Sequence, residues 1–216
     1  MSEPNRIVGV DESGKGDFFG SLVIASFLAD KKDESLLKKL GVRDGKLIAN
    51  KKILVIDETL REDFAHAVVI IEPSKYNSMY KEIKNLNVLL AEGHAEAIET
   101  ISADNEVDLA ISDKFGKSEL IENALRKRQC SVTLKQLVRG EAIIQVAAAS
   151  ILARAAFLRE MDRLSDEVDF VLPRGAAPQV DSLGRELVEV KGVEVLEKVA
   201  KLHFKNYYRI VNPRLL

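Results

Sequence analysis

The chain has 216 residues, 46% hydrophobic and 31% charged, and its 32 lysines and arginines against 34 aspartates and glutamates give a formal net charge of −2. That length supports a sizeable core, and the balanced charge with ordinary apolar content excludes a disordered, collagen-like or coiled-coil chain. The single cysteine, Cys130, excludes an internal disulfide and a multi-cysteine zinc site.

Arg6 to Val10 and Leu22 to Leu28 are apolar and β-branched, with Gly14, Gly16 and Gly20 between them, which predicts a hairpin-like strand pair. Asp33 to Leu40 and Lys51 to Phe64 predict short amphipathic helices. Ala67 to Ile71 is a continuous apolar run stopped by Glu72-Pro73, as suits a buried strand. Asn85 to Ile101 places Leu86, Leu89, Leu90, Ala97, Ile98 and Ile101 along one helix face. Leu109 to Ser112 and Ser131 to Val138 predict two more strands. Ala142 to Leu164 is the longest predicted helix, and its first part, AIIQVAAASILARAAFL, is apolar nearly all round and therefore buried. Gln179 to Val190 and Val193 to Lys201 predict two tail helices. Paired strands followed by strands interleaved with helices predict one α/β domain over residues 1–216, a mixed sheet flanked by helices. Residues 165–216 are expected to form a helical extension of it. No apolar run nears the ~20 residues of a membrane helix, and the N-terminus lacks a secretory signal, so a cytoplasmic protein without membrane association is expected.

The chemistry concentrates in acids at the ends of predicted core elements. In Gly9-Val10-Asp11-Glu12-Ser13 an apolar strand ends in two adjacent carboxylates. Taken alone, the pair reads as the start of a polar turn. Leu109-Ala110-Ile111-Ser112-Asp113 repeats the arrangement, and Glu141 sits just before the long apolar helix, where a helix dipole also favours an acid. Carboxylates gathered in one place raise one another's pKa, and a cation offsets that repulsion. Oxygen-only ligands suit hard Mg²⁺ or Mn²⁺. Asp11, Glu12, Asp113 and Glu141 are therefore the candidate metal ligands. Gly14-Lys15-Gly16 allows a close backbone approach to a sugar or phosphate, although a tight turn explains it equally well. The spacing is neither a P-loop nor a dinucleotide fingerprint.

At these residues the sequence resembles a known family. GVDESGKGDFFG at 9–20 resembles the opening motif of the type 2 ribonucleases H, and its GKGD form is similar to ribonuclease HIII. GVRDGK at 41–46, NVLLAEGHAEAIE at 87–99, SDKFG at 112–116, GEAIIQVAAASILARAAFL at 140–158, LPRGA at 172–176 and KLHFKN at 201–206 match in the family's order. The resemblance implies a ribonuclease H-like fold and an endonuclease that hydrolyses the RNA strand of RNA–DNA hybrids to 5′-phosphate and 3′-hydroxyl ends. It implies that Asp11, Glu12, Asp113 and Glu141 are the catalytic carboxylates, holding Mg²⁺ or Mn²⁺, two ions during catalysis. The fourth being Glu rather than Asp is similar to ribonuclease HIII. It also implies that Gly14, Lys15 and Gly16 read the ribose 2′-hydroxyl, the group that separates RNA from DNA, and that Lys46 contacts substrate. Ser21 departs from the family's usual proline, and Gly45 from its usual serine. The motif opens so early that the N-terminal substrate-binding domain usual in ribonuclease HIII is expected to be missing.

Lys198 to Arg209 interleaves basic residues with Phe204, Tyr207 and Tyr208, a pattern shared by phosphate-tracking surfaces and ordinary helix ends. The resemblance favours substrate contact for Lys201, His203 and Lys205. Ser150 and Arg154, one turn apart on the long helix, are secondary substrate candidates. His94 has no second histidine nearby and is expected to be structural. No obligate protein partner is evident, and a monomer is expected. A non-catalytic nucleic-acid-binding relative and a metal-dependent nuclease with another substrate remain the alternatives.

Overall fold

The structure, a computed structural model, describes residues 4–43, 45 and 48–212. Five strands, β1 (Arg6–Ser13), β2 (Leu22–Asp30), β3 (His66–Ile71), β4 (Leu109–Asp113) and β5 (Leu134–Leu137), form one sheet in the order β3-β2-β1-β4-β5. β1 runs antiparallel to β2 and parallel to β4, and β4 runs parallel to β5, so the sheet is mixed as expected. The helices are α1 (Glu34–Leu40), α2 (Asn50–Asp63), α3 (Pro73–Ile83), α4 (Leu86–Ala103), α5 (Glu119–Lys127), α6 (Ile144–Val168), α7 (Pro178–Lys191), α8 (Val195–Val199) and α9 (Lys205–Val211). Among the described residues no helix is long and apolar enough to cross a membrane.

The described residues group into two compact units. The first comprises the described residues of 4–13, 23–69 and 85–156; the second comprises 14–22, 70–84 and 157–212. The tail, expected to begin an extension at 165, thus shares its unit with two earlier segments.

In the first unit, strand alternation divides β1 between two layers. Ile7 clusters with Ile111 and with Val146 of α6. Gly9 lies on that same face, and a Cβ on it would overlap the main chain of Gln145 and Val146. Only glycine lets β1 come so close to the start of α6. The other layer is α4, whose run of alanines, leucines and glycine buries Leu89, Leu90, Ala91, Ala95, Ala97 and Ile98. The Ser26 hydroxyl on β2 donates to the Ala97 carbonyl at 2.8 Å, fastening that helix to the sheet. Asn85 caps α4, its side chain accepting from the amides of Asn87 and Val88.

In the second unit, α3 meets the chain around α8 through Asn77, whose side-chain amide donates to the Ala200 carbonyl at 2.9 Å and accepts from the Leu202 amide at 3.0 Å. Asp181 of α7 accepts from Asn206 at 2.5 Å and pairs with Arg209 at 2.7 Å, tying α7 to α9.

Gly9→Ala is expected to lower stability by ~3 kcal/mol or more, since inserting even one methyl group into packed backbone forces rearrangement. A fall in the urea midpoint of unfolding checks it, and an unchanged midpoint contradicts the close approach.

Candidate active site

The acids are set by strand register. Val10 of β1 is level with Ser112 of β4 in the parallel pair, so Asp11 and Asp113, one residue further on, are neighbours at the same end of the sheet. Both follow the alternation of Gly9 and Ile111 and therefore belong to the α6 face. Asp113 is then tied to the segment leading into α6: its Oδ1 accepts from the Gly140 amide at 2.9 Å. Gly140 lies so near that a Cβ would sit 2.9 Å from Asp113 Cα and amide nitrogen. Glu141 follows at once, in a short 3₁₀ turn over Gly140–Ala142. Three separated stretches thus bring Asp11, Asp113 and Glu141 to one sheet end.

Glu12 takes the opposite face by alternation. Its Oε2 lies 3.1 Å from Nε2 of His94 on α4. His94 is fully buried, and Phe115, two residues beyond Asp113, packs its ring 4.8 Å away. The His94 Nδ1 has no hydrogen-bond partner among the described residues. The contact with Glu12 is thus the one side-chain hydrogen bond recorded for the ring among the described residues. Sequence reasoning set His94 aside because it looked for a second histidine. The useful signal was its place inside NVLLAEGHAEAIE, a helix otherwise built of small and apolar residues.

Burial, with the Glu12 charge adding to it, raises the Asp11 carboxyl from its ordinary 3.8 to about 6, while the Ser150 hydroxyl donates to it and works the other way. A buried carboxylate beside another carboxylate is the environment a cation relieves. Among the described residues no three or more His, Cys, Asp or Glu side chains stand grouped as a metal ion would need them. The donor set is all oxygen from the carboxylates, which suits a hard divalent ion better than a soft one. On these grounds the residues fit such an ion.

The remaining candidates have the following places. Ser150 reaches Asp11, and a Cβ on Gly45 would stand 3.3 Å from its hydroxyl, so the glycine at 45 leaves room beside it. Arg154 donates to the Gly45 carbonyl at 2.5 Å and to Asn50 Oδ1 at 2.8 Å, bracing the approach to α2. Lys46 lies outside the described residues.

The glycine segment belongs to the second unit. Gly14 has φ +84°, and a Cβ there would strike the Ser21 carbonyl and the Phe157 ring, so the turn requires glycine. Gly16 is different. It is exposed, its φ is not in the left-handed range, and a Cβ would meet nothing within 4 Å. The fold does not demand glycine at 16. Ser21, noted above as a departure from the family's usual residue, is buried and donates to Glu160 at 3.0 Å.

The tail candidates separate. Lys201 was expected on a substrate-contacting surface; it is instead wholly enclosed, with its ammonium bonded to backbone carbonyls. His203 is half-buried and stacks on Tyr80 at 4.2 Å, with burial and then the Lys201 charge lowering its pKa to about 4, so the ring is neutral at neutral pH. It lines a groove of about 590 Å³ with Tyr80, Lys81, Lys84 and Tyr208. Lys205 is exposed at the start of α9.

Comparison with known proteins decides the family. The sequence pattern described as Ribonuclease HII matches residues 8–207. The chain belongs to the ribonuclease HII family. Ribonuclease HIII of Chlamydia caviae is 44% identical over 208 residues, covering 94% of this chain and 69% of its own length. That of Protochlamydia amoebophila is 39% identical over 198 residues, covering 92% and 66%. The crystal structure of Bst-RNase HIII in complex with Mn²⁺ superposes with a TM-score of 0.90 at 31% identity, over 96% of this chain and 69% of that one. Ribonuclease H2 from Pyrococcus horikoshii OT3, at 20% identity and a TM-score of 0.82 over 95% of this chain and 96% of that one, shares the fold. This ribonuclease HII-family chain therefore has the ribonuclease H-like mixed sheet that its motifs imply.

Two outcomes are expected. Asp11 binds its proton more tightly folded than unfolded, so its contribution to stability is present below pH 4 and is lost as pH rises through about 6. In metal-free protein Asp11→Asn should therefore raise Tm by about 5 °C at pH 8 and by little at pH 4, read by calorimetry. Added Mg²⁺ or Mn²⁺ should stabilise the parent more than the variant. Gly16→Ala should leave Tm unchanged or slightly raised while weakening hybrid binding about tenfold or more by fluorescence anisotropy; unchanged binding would remove any role for that glycine in recognition.

Proposed function

We propose that this chain hydrolyses the RNA strand of RNA–DNA hybrids, leaving 5′-phosphate and 3′-hydroxyl ends, with Asp11, Glu12, Asp113 and Glu141 as the residues that hold divalent metal. Ribonuclease H activity comes with the family. The observation that carries the assignment to these residues is the parallel register that makes Asp11 and Asp113 neighbours, together with the 2.9 Å bond from the Gly140 amide that brings Glu141 to them.

When bound, a pair of Mg²⁺ or Mn²⁺ ions supplies an activated water and stabilises the leaving 3′-oxygen. The Mn²⁺ complex of Bst-RNase HIII supports the metal class. The chain's own residues do the rest. Ser150 orients the Asp11 carboxylate, the Gly140 amide orients Asp113, and His94 orients Glu12. These donors hold each carboxylate in place. Gly14-Lys15-Gly16 meets the ribose at its 2′-hydroxyl, the exposed Gly16 allowing close approach of a sugar to main chain. His203 and Lys205 contribute to a surface of aromatic and basic character that suits a nucleic-acid backbone.

Asp113→Asn is the decisive variant. An amide oxygen at 113 can still accept from the Gly140 amide, so the local structure is expected to persist while a negative ligand is lost. Cleavage of a labelled RNA–DNA hybrid should fall by more than ~100-fold, beyond the range found for outer-shell partners of a metal. The assay is run on RNA–DNA, double-stranded RNA and double-stranded DNA, each with Mg²⁺, Mn²⁺ or a chelator. Full activity of the folded variant overturns the ligand assignment, and cleavage of DNA alone overturns the substrate.

A further inference from the structure

Lys201 takes no direct part in the proposed reaction. It is fully buried in the second unit, an unusual place for a lysine. Its ammonium donates to the Asp17 carbonyl at 2.9 Å and to the Gly20 carbonyl at 2.5 Å. The Tyr76 ring lies 5.8 Å from the same nitrogen. Burial lowers its pKa to about 7, while the Asp17 charge opposes that fall.

The surrounding bonds all act on the same short stretch. The Lys201 amide donates to the Phe18 carbonyl at 2.8 Å, and the Gly20 amide donates to the Val199 carbonyl at 2.8 Å. The Phe18 amide donates to the Gly175 carbonyl at 2.9 Å, and the Asp17 carboxylate accepts from the Gly175 amide at 2.6 Å. Phe18 and Phe19 are wholly buried, and the Phe18 ring meets that of Phe204 edge-on at 6.3 Å. Backbone pairing thus anchors residues 18–20. Lys201 adds something pairing cannot: one donor group drawing together two carbonyls three residues apart. Such a bend sets the direction in which the chain leaves toward Gly16 and Gly14, and the Asp17 amide continues it with a 3.3 Å bond to the Gly14 carbonyl.

We propose that Lys201 is a positioning residue for ribose selection: by curling residues 17–20 from beneath, it fixes how Gly14-Lys15-Gly16 is presented to the 2′-hydroxyl. The inference rests on the proposed reading of that glycine segment as the ribose reader. It assigns Lys201 an indirect part in substrate choice, with no contact to substrate.

The test compares affinities for an RNA–DNA hybrid and a DNA duplex of the same sequence, by fluorescence anisotropy, in an Asp113→Asn background that prevents cleavage. Lys201→Met keeps the length and apolar stem while removing the donor. Its hybrid-to-duplex preference should fall at least tenfold, with duplex affinity within twofold of the parent. Loss of a merely structural contact lowers Tm without changing that ratio in the folded protein. Should Lys201→Met fail to fold, Lys201→Gln, which keeps an N–H donor but is too short to bridge both carbonyls, is measured in the same way. The loss should also disappear when Gly16→Ala is already present, because both changes act on one contact. If the parent prefers the hybrid and the folded Lys201 variant keeps that preference within twofold, this inference is overturned and the ribose reading stands. If the parent shows no preference, the ribose reading itself fails and takes this inference with it.

Discussion

Ending a buried parallel strand pair in carboxylates sets a burden that the surrounding chain must accommodate, felt at Asp11, where burial and the Glu12 charge both disfavour ionisation. Asp11 and Asp113 are neighbours because β1 and β4 are parallel and in the register that pairs Val10 with Ser112. That pairing is in turn covered by α6, which approaches β1 so closely that residue 9 has no room for a side chain beyond hydrogen. The acidic end of the sheet is therefore tied to the tightest packing in the first unit. Shifting either strand by one residue would send its carboxylate to the other face.

The compensation is of a particular kind. Asp11 has a serine hydroxyl, Asp113 a backbone amide and Glu12 a buried imidazole. Donors of this kind orient the carboxylate oxygens. The cost falls on the metal-free protein, where Asp11 holds its proton up to about pH 6. This is the usual form of compromise at a reactive site, in which local stability is given up for affinity toward a ligand.

Much of this was legible in the residues alone. Apolar runs ending in acids located β1, β4 and the carboxylates, and continuous apolarity located α6. The helix α3 escaped because Pro73 was read as the stop of a strand, although proline also suits the first turn of a helix. The helix α5 was not predicted, because its buried side is only Ile121, Ala124 and Leu125, a short apolar pattern among charged residues. Lys201 shows a deeper limit. A basic and aromatic stretch looks alike whether its lysine faces solvent or is enclosed, and only the carbonyls of residues 17 and 20, some 180 positions earlier, decide which. The contact of His94 with Glu12 escaped for a similar reason, since the two lie in separate segments.

The contrast between the two glycines of the GKG segment reaches beyond the present substrate. Gly14 is locked by backbone geometry and by its neighbours, so any change there is felt by folding before it is felt by recognition. Gly16 is under no such restraint. A side chain added there leaves the folded state undisturbed, so one short turn holds a position where substitution reports on the fold and another where it reports on the surface alone.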